Sequence, residues 1–204
     1  MNNTNREKVL RLTVAGMLIG LELLMAFTPV GYLKIGLLSI TFLTIPVIIG
    51  AITNGLWMGA ILGATFGVTS FVQCFGMDPF GTTLFGINPA GTFIMCVCTR
   101  TLMGFLCALI YKALSKTRAP VGVQMGAAAF SAPFLNTAFF MPCLLLFFWN
   151  TEYIQGVAQS LGANGVFAFL FAMVGVNGLV EWVVCTVVGT AVSIPLMKAL
   201  KKAH

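Results

Sequence analysis

The chain has 204 residues, 59% of them apolar and only 8% charged, with a formal charge of +6. An ordinary soluble domain carries about a quarter of its residues as charges, so that class is excluded. Each membrane crossing uses about 20 apolar residues, so the length suits one compact six-helix membrane domain spanning 1–204, not two. The basic excess stands beside the ends of apolar runs and not along a binding face, which argues against nucleic acid as a partner.

Helix one is expected over 9–27, ending at Thr28-Pro29. Its apolar run is too long for a signal peptide and lacks an A-x-A cleavage pattern, so it is expected to stay as a membrane helix. Gly31 to Gly36 reads as a short external connection, followed by helix two over 38–53. Asn54-Gly55 then reverses the chain with almost no loop, because both residues tolerate a left-handed backbone. Helix three covers 56–75. The segment from Gly76 to Ala90 mixes glycines with Phe80 and Phe85 and reads as an external flap able to cover an apolar rim.

Helix four covers 91–114 and runs into a basic linker, Lys112 to Arg118. Helix five, 121–148, contains Pro133 and Pro142, each of which deletes an intrahelical hydrogen bond and invites a kink. The stretch from Trp149 to Asn164 is polar enough to lie outside, with Trp149 and Tyr153 as interfacial anchors. Helix six, 165–198, exceeds the bilayer thickness and must tilt or protrude. Arg6, Lys8, Arg11, Lys112, Lys116, Arg118, Lys198, Lys201 and Lys202 all fall on one side of a six-crossing chain. Basic residues mark the cytoplasmic side, so both termini are expected there.

Small residues recur in two places. Gly55, Gly59, Gly63 and Gly67 form a ladder on helix three, expected to pack against another helix of the bundle, because close backbone approach substitutes in lipid for the missing hydrophobic drive. Ala15, Gly16 and Gly20 make a shorter small face on helix one, suited equally to internal packing or to another membrane protein.

Three ionisable residues lie inside spans, Glu22, Arg100 and Glu181, each costing about 2.5–3.5 kcal/mol near mid-bilayer on insertion scales. Arg100 shares a stripe with Cys96, Gly104 and Ala108, which points it into the bundle. Asn177 and Glu181 share a face of helix six, and Asn136 lies between the two prolines of helix five. Two arrangements answer this pattern: a structural Arg100–Glu181 ion pair, or a polar pocket for a hydrophilic ligand formed by Arg100, Asn136, Asn177 and Glu181. Glu22 either binds or snorkels to the outer interface. Asn88 before Pro89 either caps helix four or touches a ligand.

No phosphate-loop motif G-x-x-x-x-G-K-[ST] occurs, nor G-x-S-x-G or H-E-x-x-H, so neither ATP hydrolysis nor hydrolytic catalysis has its residues and the chain is not expected to be an enzyme. Five of the six cysteines sit inside apolar runs and the single histidine is His204, so neither a metal site nor a cofactor is expected.

Taken in order, Gly31-Tyr-Leu-Lys-Ile-Gly36, Ile40-Thr-Phe-Leu-Thr-Ile-Pro-Val-Ile-Ile-Gly50, the glycine ladder, Ile87-Asn-Pro89, Arg100 with Met103-Gly104, and Asn177 with Glu181 resemble the substrate-binding S components of energy-coupling factor (ECF) transporters. The resemblance covers nearly the whole chain and is similar to the pantothenate type. It implies an all-α, six-transmembrane-helix subunit of a bacterial-type plasma membrane. Such a subunit captures a small water-soluble vitamin from outside, closes loops over it and topples on docking to a T protein and two ABC-type ATPases. In such families an Ala-x-x-x-Ala face on helix one meets the T protein; Gly16 and Gly20, with Ala15, are the counterparts here. A ligand monocarboxylate needs a cation, for which Arg100 or Lys34 is available. A stand-alone secondary carrier and a ligand-free membrane scaffold are the contrasting classes.

Overall fold

A computed structural model describes residues 3–28, 31–35 and 38–202, with the side chains at 3–7, 33–35, 38–40, 176–177 and 201–202 excepted. Helix α1 runs Asn3–Ala26, and a two-stranded antiparallel hairpin follows, β1 (Tyr32–Ile35) paired with β2 (Leu38–Thr41) in the register Tyr32↔Thr41. Then come α2 (Thr44–Asn54), α3 (Leu56–Gln73), α4 (Pro79–Ile87) and α5 (Pro89–Phe93). A π-helical turn (Ile94–Cys98) joins α5 directly to α6 (Thr99–Leu114), and α7 (Val121–Phe148), α8 (Glu152–Ser160) and α9 (Val166–Lys202) complete the chain.

Five helical stretches among the described residues are long and apolar enough to cross a bilayer: Lys8–Ala26, Leu56–Gln73, Pro89–Leu114, Val121–Phe148 and Gly178–Leu200. They turn large apolar side chains outward, including Leu12, Met17, Trp57, Leu146 and Val183. So broad an apolar exterior is what lipid, not water, accommodates. The chain is a multi-pass membrane bundle.

Several expectations change. Helix two was read over 38–53, but Leu38–Thr41 is a strand and the helix begins at Thr44. A short apolar run does not distinguish strand from helix by periodicity. Pro46 decides it: starting at Thr44 puts that proline in the first turn, where its missing N–H is harmless, whereas a start at 38 would bury it in the helix interior at a cost of about 3 kcal/mol. With 11 residues, α2 is about 16 Å long, too short to cross alone, and nine of its residues are buried.

The flap from Gly76 to Ala90 is not an open loop. Asp78 Oδ2 accepts from the Gly81 N–H at 2.9 Å and starts α4 with Pro79 at its first position, the arrangement that favours helix initiation. Phe71 holds it through edge-to-face contacts with Phe75, Phe85 and Phe93 at 5.3–5.6 Å, and the Phe75 and Phe85 rings pack tilted at 4.6 Å. The stretch 149–164 likewise contains α8, capped by Thr151, with Ile154, Val157 and Ala158 buried against Leu84, Leu144, Phe148 and Phe169. Long helix six is broken: Gly175 has non-helical dihedrals (φ 12°, ψ −132°).

The glycine ladder packs internally, as expected. A methyl at Gly59 would collide with the Gly104 carbonyl, at Gly63 with the Arg100 carbonyl, and at Gly67 with the Cys96 carbonyl. Backbone therefore meets backbone along α3 and the π-turn–α6 unit, and the pairing order makes the two antiparallel. Gly55, with φ +87°, makes the tight turn from α2 to α3.

These contacts also place the ends. Asn54 Nδ2 donates to the Arg11 carbonyl at 2.9 Å, so the start of α1 adjoins the α2–α3 turn. Thr44 meets Cys185 and Gly189 meets Ile48, so the second part of α9 runs parallel to α2 and ends there too. Arg11, Lys112, Lys116, Arg118 and Lys198 are thereby gathered at one end of the bundle. At the other, Gln73 Nε2 donates to the Ala26 carbonyl and ties α3 to α1.

Gly63→Ala and Gly104→Ala are each expected to lower the melting temperature in detergent by roughly 3–10 °C, from overpacking of about 1–3 kcal/mol. Gly16→Ala, where nothing lies within 4 Å of the new methyl, should melt like the parent protein. Equal melting of all three would show that α3 and α6 do not rely on backbone contact.

Candidate functional site

The end of the bundle away from the basic residues holds a cavity of about 650 Å³, within the range that encloses small-molecule ligands. Its wall takes residues from almost every element: Phe27 and Thr28 after α1, Tyr32 and Thr41 from the hairpin, Phe66 and Gln73 from α3, Asp78 and Phe80 at α4, Asn136 and Phe140 from α7, Glu181 from α9. Arg100, on the first turn of α6, also lines it. α2 contributes no wall residue, and its buried Val47 and Ile48 pack into the core beneath.

Arg100 is held by local backbone geometry. The π turn replaces the usual ladder with a wider one, in which the Thr99 N–H donates to the Ile94 carbonyl five residues back. The carbonyls of Met95 and Cys96 in that turn accept from Arg100 Nη1 at 3.4 and 3.1 Å. The guanidinium carbon stands 4.5 Å from the Phe66 ring centre and 5.6 Å from that of Phe140. Cation–π contact of this kind is worth about 0.5–2 kcal/mol, and together these contacts offset the cost of the buried cation without supplying a counter-ion.

No ion pair joins Arg100 and Glu181 among the described residues, and Glu181 Oε1 has no hydrogen-bond partner. The structural ion pair is therefore not formed. The same is true around the wall: Arg100 Nε, Asn136 Oδ1, the Tyr32 hydroxyl and the Thr28 hydroxyl are all buried without partners. Buried polar atoms are normally hydrogen-bonded, and leaving one unpaired costs about 1–3 kcal/mol. A cluster of them around one cavity is the polar complement of a molecule that brings its own donors and acceptors.

Of the residues singled out in the sequence, Arg100, Asn136 and Glu181 are brought together in this wall. The side chain of Asn177 lies outside the described residues, as does that of Lys34. Asn88 is elsewhere: its Oδ1 accepts from the Gly91 N–H at 2.9 Å and caps α5. Glu22 does not snorkel. It is wholly buried on α1, outside the cavity wall, with both carboxylate oxygens unpartnered.

Sequence reasoning missed Thr28, Tyr32 and Gln73, because they fall at helix ends and in a hairpin read as connection. A signal was present for Tyr32: a tyrosine between Gly31 and Leu33, with β-branched Val30 and Ile35 close by and a membrane helix beside it, suits a short strand at the interface. Asp78 was read as a loop charge, yet its capping of α4 places it in the wall. On α1, Gly16 and Gly20 are exposed with open space above them, while Ala15 packs partly against the core.

Comparison with known proteins agrees with this architecture. Residues 10–193 match the family model described as ECF transporter, substrate-specific component. The chain is also 31% identical over 175 residues, 78% of each protein, to the pantothenic acid transporter PanT of Lactococcus lactis subsp. cremoris (strain MG1363). A wall of unpaired polar groups inside a lipid-facing bundle, built by a chain without a phosphate loop, is what a binding subunit requires; the chain belongs to the family of ECF transporter substrate-specific components.

Proposed function

We propose that the cavity binds pantothenate, or a water-soluble vitamin of similar chemistry, from the outer side of the cell membrane for import. The observation that carries this reading is the uncompensated guanidinium of Arg100 in a wall of unpartnered hydroxyl, amide and carboxylate groups. Pantothenate has one carboxylate, one amide and two hydroxyls. Its carboxylate suits Arg100, whose planar donors bind carboxylates well. Asn136 Oδ1 and Glu181 accept from the ligand's hydroxyls and amide N–H. Tyr32, Thr28 and Asn177 complete the shell, and Asn88 acts through the cap of α5. The name of the 31%-identical relative supports the same ligand.

The topology proposed with it is one domain, 1–204, crossing six times, with α2 and the β-hairpin together forming the second crossing. The gathered basic residues support placing both termini in the cytoplasm and the cavity outside. Family membership supports partnership with a T protein and two ABC-type ATPases, to which ATP hydrolysis is delegated. The exposed Gly16 and Gly20, with Ala15 beside them, form the docking face, where small residues let two helices approach closely.

Calorimetry on the purified subunit is expected to show pantothenate binding that Arg100→Gln weakens by about 2–5 kcal/mol, or 30-fold and more. Unchanged affinity in that variant, or no binding by the parent protein, would exclude this ligand placement. In a double-mutant cycle of Arg100→Gln with Glu181→Gln, melting should show coupling below about 0.5 kcal/mol in the absence of ligand. Substantial coupling there would restore the structural pair.

Gly16→Leu and Gly20→Leu should leave pantothenate binding by the isolated subunit intact and abolish ATP-dependent uptake in cells carrying the full complex. Uptake at the parent rate in both variants would move the docking face elsewhere.

A further inference from the structure

The cavity has an axis. Arg100 stands at its floor, with its guanidinium carbon 4.5 Å from the Phe66 ring centre and its carbonyl against Gly63. From Phe66 the wall follows α3 through Ser70 and Gln73 and reaches Asp78 at the start of α4. The helical rise from Phe66 to Gln73 alone is about 10 Å. Asp78 is fastened beyond that point. Its backbone N–H donates to the Gln73 carbonyl at 2.9 Å, and Gly81 lies so close over the end of α3 that an added methyl would stand 2.6 Å from the Cys74 sulfur. The guanidinium and the Asp78 carboxylate therefore mark opposite ends of the cavity.

Asp78 also has acceptor capacity to spare. Oδ2 takes the Gly81 N–H and caps α4, while Oδ1 receives no donor among the described residues. An ionised carboxylate only accepts hydrogen bonds, so a group arriving beside Oδ1 is held if it donates and repelled if it is an anion. The cap excludes anions in a second way, because the N–H groups at the start of a helix would otherwise attract one and Asp78 already occupies that place. Among the described wall residues Arg100 is the only cation, and it faces the two carboxyl groups of Glu181 and Asp78. A ligand with one negative end is matched by such a wall; a ligand with two is not.

We propose that Asp78 is a specificity-determining residue: with the ligand's carboxylate on Arg100, it accepts a hydrogen bond from the hydroxyl at the ligand's far end and excludes molecules in which that hydroxyl carries a phosphate. The terminal hydroxyl of pantothenate is separated from its carboxylate by an amide and a short carbon chain, about 10 Å when extended. That length matches the path from Arg100 to the start of α4. A phosphate monoester at the same position brings about −1.5 to −2 charges at neutral pH, against a carboxylate and without a cation from the described wall to receive it. The ligand's orientation follows from the same argument, carboxylate on the floor and terminal hydroxyl beneath α4. This assignment rests on the pantothenate reading.

The test is calorimetry on the full chain in detergent with pantothenate, 4′-phosphopantothenate, 4′-deoxypantothenate and pantothenol, in which the carboxylate is replaced by a hydroxymethyl group. The parent protein is expected to bind 4′-phosphopantothenate about 100-fold or more weakly than pantothenate, and the deoxy compound about tenfold more weakly. Asp78→Asn keeps an oxygen for the Gly81 N–H and so preserves the cap while removing the charge. In that variant the phosphate penalty should fall about tenfold or more and the deoxy penalty should approach one. Asp78→Ser, also a capping residue, should lower the phosphate penalty likewise. Each penalty compares two ligands on one protein, so a general loosening of α4 that weakens both alike cancels. The pantothenol penalty reports the Arg100 end and should be the same in the parent and both variants. An unchanged phosphate penalty in both variants, or equal affinity of the parent for the phosphorylated and free compounds, would overturn the role of Asp78 and leave the pantothenate reading standing. So would a pantothenol penalty that changes with Asp78 while the phosphate penalty does not, since the ligand would then lie the other way round. If the parent binds no pantothenate, the ligand reading fails and this assignment falls with it.

Discussion

The backbone contact between α3 and α6 is the constraint on which the rest of the molecule depends. Gly59, Gly63 and Gly67 leave no room for a side chain between the two helices, and Gly104 answers them from the other side. Lipid does not press apolar helices together as water does, so the pair is held by close packing and short-range attraction. Because the carbonyl that meets Gly63 is that of Arg100 itself, the packing seam and the cavity floor are one construction. Among the described residues Arg100 is the only arginine buried in a span, and its depth and orientation are set by the same glycines that keep the helices together.

Around this seam the bundle separates two kinds of interior. Toward the basic end, Val47, Ile48, Leu62, Met103 and Met125 form a dry apolar core around α2. Toward the other end, the short helices α4 and α8 share a second cluster built on Leu84, Leu144, Phe148 and Phe169. The cavity lies among these layers, where helix irregularities collect. The π turn supplies carbonyls for Arg100, the Thr137 hydroxyl in the wall donates to the Pro133 carbonyl at 3.1 Å, and Gly175 breaks α9 beside Val174. Irregular backbone at membrane depth is tolerated where it lines a cavity, and the polar groups of the site are placed by these departures from regular helix.

The unpaired state of the wall is itself informative about energetics. A ligand-free bundle with Arg100 Nε, Glu181 Oε1, Asn136 Oδ1 and the hydroxyls of Tyr32 and Thr28 unpartnered is less stable than one in which those atoms are hydrogen-bonded. A bound molecule that satisfies several of them at once stabilises the fold it binds. Glu22 is the exception, wholly buried on α1 and outside the cavity, and the structure gives no partner that explains it.

Much of the architecture was legible in the chain because lipid imposes simple rules. Apolar runs of about 20 residues mark spans, four-residue glycine spacing marks a packed face, and basic residues mark one end. The sequence by itself determined the membrane class, the internal use of the ladder, and Arg100, Asn136 and Glu181 as inward polar residues, since few other polar groups lie at that depth. Its apolar runs did not distinguish a strand at Leu38–Thr41 from a helix, and its polar stretches did not reveal α4 and α8, whose stability comes from ring contacts and buried faces distant in the chain. Only the tertiary structure decided that Arg100 and Glu181 stand unpaired, that Asn88 is a cap, and that Tyr32 and Thr28 belong to the wall. The physical reason is that a side chain's partner is fixed by which helices meet and at what register, and neither is encoded in the spacing along one helix.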